Sequence, residues 1–409
     1  MTIRVCTVHP FDPWGSKIGG IETLIRSMLR HAPEDIRMEV AGVTENPADR
    51  PVRRWQTLWY GEREVHFFPV FSVRKPNLRT RFPLFLQFPL RLRFTRLNLR
   101  EAVAVYHRVE PLVFSTLPAR ANVLFIHGHP QEITSPASEV RWRHVPRLYQ
   151  AVEARAIRQA DRIFVISQTG TGWLRKRYPE KKGHIAFLAT WYNDDVFRLA
   201  AEGERERARL AFAQRFNFDP AGRFVLFAGR WEAQKNPGLA IEAFARAAAS
   251  RESLHLLLAG SGGLEKAMRE VVNELGMIGR IHFLGPLRAP ELAAVMGFCD
   301  TLLVSSCFEG MPILVLEALA CGLPVVSTEA GEIRKIIEEG VTGVVSAEYT
   351  PDSLAQALEM MLERIVPETR EICSQAAAPY SPKARLSGLY DVFRELGGKS
   401  SATTHGDSG

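Results

Sequence analysis

Two carboxylates eight residues apart, Glu309 and Glu317, frame a stretch with the chemistry to hold a charged, hydroxyl-rich ligand. The apolar run Thr301–Val304 ahead of them reads as a buried parallel strand, and Ile313–Ala320 reads as a helix. Pro312 suits the first helical turn, where its missing N–H is no loss, and Gly322 and Pro324 mark the stop. Residues 309–311 therefore form a strand-to-helix turn, where free N–H groups and the positive helix end favour an anion. Two cations fit the same site. Arg230 follows Gly229 and a strand over 224–228, and Lys235 precedes the helix start at Asn236 and Pro237. Arg230, Lys235 and Glu309 are expected at the C-terminal ends of strands in one sheet. There the two cations could neutralise a pyrophosphate without a metal.

A paired acid–base reading of the two glutamates is disfavoured. Glycoside hydrolases hold their carboxyls roughly 5–9.5 Å apart, whereas eight helical residues span about 12 Å. Two separate clamps, each on a different set of hydroxyls of one ligand, fit better; a nucleotide sugar offers such sets on its sugar and its ribose. Glu317 lies in an otherwise apolar run and so requires a partner. No acidic pair suited to a metal stands at a strand end, since Asp194 and Asp195 fall in an inter-domain connection; no metal is expected. His127 closes a strand over 122–126 and is a candidate sugar or phosphate contact. Gly19 and Gly20 occupy a strand-to-helix turn and allow a ligand close approach. Their spacing is not GxGxxG, so a nicotinamide cofactor is not expected.

What must position these groups is a repeated alternation of short apolar runs and amphipathic helices, the pattern of parallel sheets. Strands are expected over 2–8, 36–43, 111–115, 122–126, 161–166 and 184–188 in a first doubly wound α/β domain. A second domain has strands over 224–228, 254–259, 281–284, 301–304 and 325–327. Residues 90–94 alternate as a strand does, and Pro83 and Pro89 interrupt any helix there. Two such domains joined near Thr190 are expected to face each other across a ligand-binding cleft.

The 409 residues, 46% hydrophobic and 24% charged, suffice for two full cores. The five cysteines are scattered, without CxxC spacing, and read as reduced, buried residues of a cytoplasmic protein. Residues 1–8 are too short and strand-like for a signal peptide, and no apolar run approaches the ~18 residues that span a bilayer. The net charge of +7 suits anionic ligands or an anionic membrane face. Residues 65–100 contain no Asp or Glu. Within 74–100, Arg74, Lys75, Arg79, Arg81, Arg91, Arg93, Arg96 and Arg100 alternate with Phe and Leu, which suits a peripheral contact with an anionic membrane. No nucleic-acid motif accompanies this charge, and nucleic acid is not an expected partner.

Glu309-Gly310-Met311-Pro312, Glu317 and Gly322-Leu323-Pro324-Val325-Val326 together resemble the E-x7-E signature of retaining glycosyltransferases of family 4, the group 1 transferases with the GT-B fold. The likeness extends to Gly229-Arg230, Lys235-Asn236, Gly260-Ser261-Gly262, Phe283-Leu284-Gly285, Gly331, and Gly340 with Gly343. Gly19-Gly20-Ile21-Glu22 resembles the family's N-terminal glycine loop. The resemblance implies that Glu309 binds donor-sugar hydroxyls, with Gly310, Met311 and Pro312 near sugar and phosphate. It implies that Glu317 binds the ribose, that Arg230 and Lys235 bind the diphosphate with help from Gly20, and that Gly285 and Leu287 border the base. His127 matches a histidine that contacts the donor hexose. Thr190-Trp191-Tyr192-Asn193 departs from the family's usual Asn-Gly-Val-Asp, and Met311-Pro312 replaces the commoner Phe-Gly.

The implied organisation is an acceptor domain over 1–190 and a donor domain over 191–380. A helix over 381–397 crosses back to the first domain, and a disordered tail follows over 398–409. The implied reaction moves a hexose-type sugar from a nucleoside diphosphate, with retention and no cofactor, to a lipid-linked or membrane-proximal glycan. The setting would be the cytoplasm or the inner membrane face, in polysaccharide or glycolipid synthesis. A soluble small acceptor, a GT-B sugar-nucleotide epimerase and a non-catalytic nucleotide-sugar-binding subunit are the rival readings.

Overall fold

The computed structural model describes residues 2–17, 19–74, 83–127 and 141–398. Part of the basic segment, 75–82, and the tail over 399–409 lie outside the described residues. The described chain forms two compact units. Unit 1 takes residues 2–127, 144–188 and 385–398, and unit 2 takes 141–143 and 189–384.

Unit 1 is built on strands β1 (Ile3–Val8), β2 (Ile36–Thr44), β3 (Gln56–Tyr60), β4 (Arg63–Ser72), β5 (Leu99–Tyr106), β6 (Ala119–Ile126), β7 (Arg162–Val165) and β8 (Ile185–Phe187). Its helices include α1 (Gly20–Arg30), α2 (Leu84–Arg93), α3 (Val109–Ser115), α4 (Pro146–Gln159) and α5 (Gln168–Arg177). The sheet order is β3-β4-β2-β1-β5-β6-β7-β8, parallel except for the antiparallel edge strand β3. Successive strands run outward from β1 in one direction and then from β5 in the other. The crevice at the C-terminal ends of β1 and β5 is therefore this sheet's switch point.

Two local expectations are corrected here. Residues 111–115 are helical, not a strand: Pro111 sits in the first turn of α3, where a proline is tolerated. The strand belongs at Leu99–Tyr106, where Arg100 and Glu101 obscured the apolar run. The alternation over 90–94 also misled, because α2 continues through Pro89. Phe88 and Leu92, four residues apart and fully buried, anchor one face of α2, and tertiary burial outweighs the hydrogen bond that Pro89 removes.

Unit 2 is wholly parallel. Its strands are β9 (Arg223–Arg230), β10 (Leu254–Ser261), β11 (Ile281–Gly285), β12 (Thr301–Val304), β13 (Val325–Ser327) and β14 (Gly343–Val345). The order is β11-β10-β9-β12-β13-β14. Its helices include α6 (Glu202–Phe216), α7 (Pro237–Ala248), α8 (Glu265–Glu274), α9 (Ala289–Phe298), α10 (Ile313–Ala320), α11 (Ile333–Ile336), α12 (Pro351–Arg364) and α13 (Thr369–Ala377). Leu256, Leu258, Ile241, Phe244, Leu358 and Met361 are enclosed between the sheet and helices α7 and α12. In such sheets the ligand crevice opens where the order reverses, here between β9 and β12.

The last helix, α14 (Pro382–Gly398), belongs to unit 1 from Arg385 onward. There the Tyr390 hydroxyl donates to the Met28 carbonyl (2.8 Å), and Arg394 pairs with Asp35 (2.7 Å). All five cysteines are free; Cys307 is exposed rather than buried, its Sγ 2.9 Å from Tyr349 Oη.

Candidate active site

The switch point of unit 2 gathers the charged residues that the sequence singled out. β9 and β12 pair through Val225 with Thr301 and Leu226 with Leu302, so the loops leaving their C-terminal ends run side by side. Short-range hydrogen bonds lock the two loops together. Ser305 Oγ donates to the carbonyls of Lys235 (2.9 Å) and Asn236 (2.8 Å), and the Cys307 N–H donates to the Gln234 carbonyl (2.8 Å). Asn236 starts α7 in a left-handed conformation; its Oδ1 accepts from the Leu239 N–H (3.3 Å), while its Nδ2 donates to Tyr349 Oη (2.8 Å).

Held in this way, the Lys235 ammonium forms an ion pair with Glu309, whose same oxygen accepts a hydrogen bond from Ser306 Oγ at 2.7 Å. Both partners are largely shielded from solvent. Arg230, at the end of β9, pairs with Glu232 but leaves 61% of its side chain exposed. Gly229 lies against the stem of Lys235, where an added Cβ would be 3.8 Å from it. Two cations at and just beyond the end of β9, beside a helix start, suit a diphosphate. A carboxylate with a hydroxyl beside it suits sugar hydroxyls.

The turn after Glu309 is held from behind. The Gly310 carbonyl accepts from the Glu332 N–H (3.1 Å), and buried Met311 accepts through sulfur from the Thr190 N–H (3.3 Å). Gly331 has a positive φ of 63°, and an added Cβ there would lie 2.3 Å from the Gly310 carbonyl oxygen and 2.4 Å from that of Glu309. The bare backbone at Gly331 thus sets how far the Glu309 turn can sink. Pro312 caps α10 rather than opening it, one residue from the expected place. Gly285 closes β11, two strands away from β9, and half-buried Leu287 follows it.

Glu317 lies on α10 among apolar side chains, and no hydrogen bond or ion pair reaches its carboxyl among the described residues. Desolvation pushes its pKa from the ordinary 4.5 up to about 8. The folded protein then keeps a proton that the unfolded chain releases above about pH 4.5. Stability is accordingly lost as pH rises from there toward 8. Glu317→Gln should melt like the parent below pH 4.5 and progressively higher above it, with the difference levelling off past pH 8. Calorimetry at pH 5 and pH 8.5 reads this directly.

Unit 1 holds a second polar cluster at its own switch point. Gly19 caps α1 and Gly20 is its first residue. His127 follows β6, and its Nε2 lies 2.9 Å from His107 Nδ1. His9, directly after β1, approaches Glu22 (3.3 Å), which Lys17 also contacts at 2.6 Å. Burial tends to raise Glu22, but His9 and Lys17 outweigh it and hold the carboxyl well below its usual range. Burial pushes His9 down to about 4 and His127 to about 3, so these imidazoles are neutral near pH 7. Sequence reasoning passed over His9, Lys17, Glu22 and His107. The signal was present, since His9 and His107 each directly follow a strand, but β5 had been misplaced.

Comparison with known proteins bears on the fold and on residues 209–379. Residues 209–379 match the family model of the glycosyl transferases group 1. The alpha-D-kanosaminyltransferase of Streptomyces kanamyceticus is 25% identical over 288 residues, covering 66% of this chain and 72% of that protein. A D-inositol 3-phosphate glycosyltransferase of Mycolicibacterium paratuberculosis is 30% identical over 238 residues, covering 57% of this chain. The chain spans only 52% of that relative's length. Among solved structures, the sucrose-phosphate synthase of Thermosynechococcus elongatus superposes with a TM-score of 0.73 at 17% identity, covering 96% of this chain and 99% of its own. HepE of Anabaena in complex with UDP gives 0.68 at 16% identity, covering 96% and 100%. By its parallel sheets and its structural likenesses the chain has the GT-B fold, and its residues 209–379 resemble the glycosyl transferases group 1.

Proposed function

We propose that this chain transfers a hexose-type sugar from a nucleoside diphosphate to a small soluble hydroxylated acceptor, with retention at the anomeric carbon and without a metal. The observation that carries this reading is the Lys235–Glu309 ion pair, placed with Arg230 at the switch point of unit 2. The two groups neutralise each other. An arriving diphosphate competes for the Lys235 ammonium and leaves the Glu309 carboxylate, with Ser306, to accept hydrogen bonds from sugar hydroxyls. Arg230 and Lys235 then face the charge that grows on the leaving diphosphate, the place where positioned cations act most strongly. The leaving phosphate itself takes the acceptor proton, so no protein base is required. Following the resemblance, Gly310 to Pro312 border the sugar and phosphate, Glu317 takes the ribose, Gly285 and Leu287 border the base, Gly20 assists the phosphates and His127 contacts the hexose.

The acceptor class follows the relatives, an alpha-D-kanosaminyltransferase and D-inositol 3-phosphate glycosyltransferases, which point to small soluble acceptors. A second reading, a lipid-linked glycan at the inner membrane face, is favoured by α2. Phe94 just beyond it is 79% exposed and Leu90 is exposed, next to Arg91, Arg93 and Arg96. No helix among the described residues is long and apolar enough to cross a membrane.

One assay tests these readings. The full chain is incubated with a panel of nucleotide sugars, with small polyols or with anionic vesicles carrying lipid-linked glycan, and release of nucleoside diphosphate is followed. Turnover with polyols that persists in EDTA is expected. Release only with vesicles would transfer the assignment to the membrane reading, and loss in EDTA would overturn metal independence. Donor binding without release in any combination would leave a nucleotide-sugar-binding subunit.

A further inference from the structure

Three imidazoles of unit 1 stand at the C-terminal ends of three neighbouring strands, His9 after β1, His107 after β5 and His127 after β6. We infer that His107 is a positioning residue that fixes the tautomer of His127, so that His127 offers its Nδ1–H as a hydrogen-bond donor to a sugar oxygen. The inference rests on the reading of His127 as a sugar contact.

The argument is an accounting of protons. His107 Nδ1 and His127 Nε2 lie 2.9 Å apart, and a hydrogen bond between two neutral imidazoles contains one proton. Both rings are neutral. His107 is enclosed, stacked on Phe125 with centroids 4.7 Å apart, and burial drives both rings' pKa values down. Further positive charge here is also opposed by Lys17, which faces Glu22, and by Arg108, which pairs with Glu110 at 2.8 Å.

The remaining nitrogens decide which ring donates. His107 Nε2 is buried and has no partner among the described residues. If His127 supplied the shared proton, the proton of His107 would sit on Nε2 as an orphaned, buried N–H. If His107 supplies it from Nδ1, the orphan is a bare lone pair, which protein interiors tolerate better. His107 therefore donates. His127 accepts at Nε2, and its own proton must sit on Nδ1. That nitrogen has no partner among the described residues, on a residue that is only partly buried.

His9 obeys the same rule. Its Nε2 faces the ionised Glu22 and must carry the proton, while its buried Nδ1, without a partner among the described residues, is the bare nitrogen. Lys17 keeps Glu22 ionised, so this tautomer does not reverse. The ring of His9 meets that of His107 edge-on, with centroids 6.0 Å apart, and helps seat it. The outcome selects a substrate class. An N–H at this strand end donates to a hydroxyl, carbonyl or phosphate oxygen and rejects a protonated amine.

The test uses the full chain labelled with 15N-histidine. Long-range 1H–15N spectra at pH 7, assigned with His107→Asn and His127→Asn, should show His107 and His127 both protonated on Nδ1. Protonation of His127 on Nε2 would overturn the inference. This readout needs no turnover, so its failure is distinct from failure of the transferase reading. With the donor identified by the panel, His107→Phe should raise its KM roughly tenfold, while affinity for the matching nucleoside diphosphate stays unchanged. His107→Asn, whose amide N–H replaces Nδ1–H, should restore KM. Equal losses in both variants, or weaker nucleoside diphosphate binding, would reduce His107 to packing and refute its positioning role.

Discussion

Lys235→Ala is expected to lower kcat by about 10²–10³, the usual effect of removing one positioned group from developing negative charge. The side chain has two partners in the reaction cycle. It neutralises Glu309, and in the proposed reaction it faces the diphosphate, whose charge grows as the glycosidic bond breaks. Its loss should therefore appear in kcat more than in KM. The substitution also leaves Glu309, 11% exposed, with Ser306 but without its counter-charge. Removing one partner of a buried pair costs about 3–5 kcal/mol, and the partial exposure here reduces that to about 1–3 kcal/mol. The two effects separate in the double variant. Adding Glu309→Gln to Lys235→Ala should recover thermal stability and none of the rate. Steady-state release of nucleoside diphosphate and melting curves measure both, and near-parental turnover by Lys235→Ala would remove this residue from the site.

Gly331→Ala should be nearly as damaging without touching substrate. A left-handed alanine costs roughly 1–2 kcal/mol from its backbone alone. The larger effect is displacement. The new methyl would lie 2.3 and 2.4 Å from two backbone carbonyl oxygens, those of Gly310 and Glu309, and backbone cannot swing aside as a side chain can. The turn must shift outward by a substantial fraction of an ångström, carrying the Glu309 carboxylate with it. Misplacement by about 1 Å can lower rates by about 10²-fold. The expected result is a roughly hundredfold fall in kcat/KM with a lowered melting temperature. Parental kinetics in a folded Gly331→Ala protein would show that Gly331 does not hold the turn.

How far each feature could be read from the chain depends on where its cause lies. Strand Thr301–Val304 and helix Ile313–Ala320 lie where apolar runs and punctuation place them, because those signals sit within a few residues of the element they define. Asn236 caps its helix for the same local reason. Residues 84–93 did not follow local signals. Two prolines and an alternating pattern argued against a helix, yet buried Phe88 and Leu92 hold one, a decision made by packing partners elsewhere in unit 1. The β3–β4 hairpin at the sheet edge went unread, and Arg100 and Glu101 hid the strand that carries His107 to its place.

By itself, then, the sequence determined the alternation that makes two parallel sheets, the family resemblance around Glu309 and Glu317, and the residue types a diphosphate and a sugar require. These are properties of short windows. Only the tertiary structure decided who meets whom. Lys235 reaches Glu309 across 74 residues because β9 and β12 are neighbours in a sheet whose order reverses between them. Gly331 supports the Glu309 turn from the loop that follows β13, and three histidines meet because β1, β5 and β6 lie side by side. In a parallel sheet each crossover carries the chain over the sheet before the next strand pairs. Adjacency is therefore set by strand order and twist, which no local pattern of residues records.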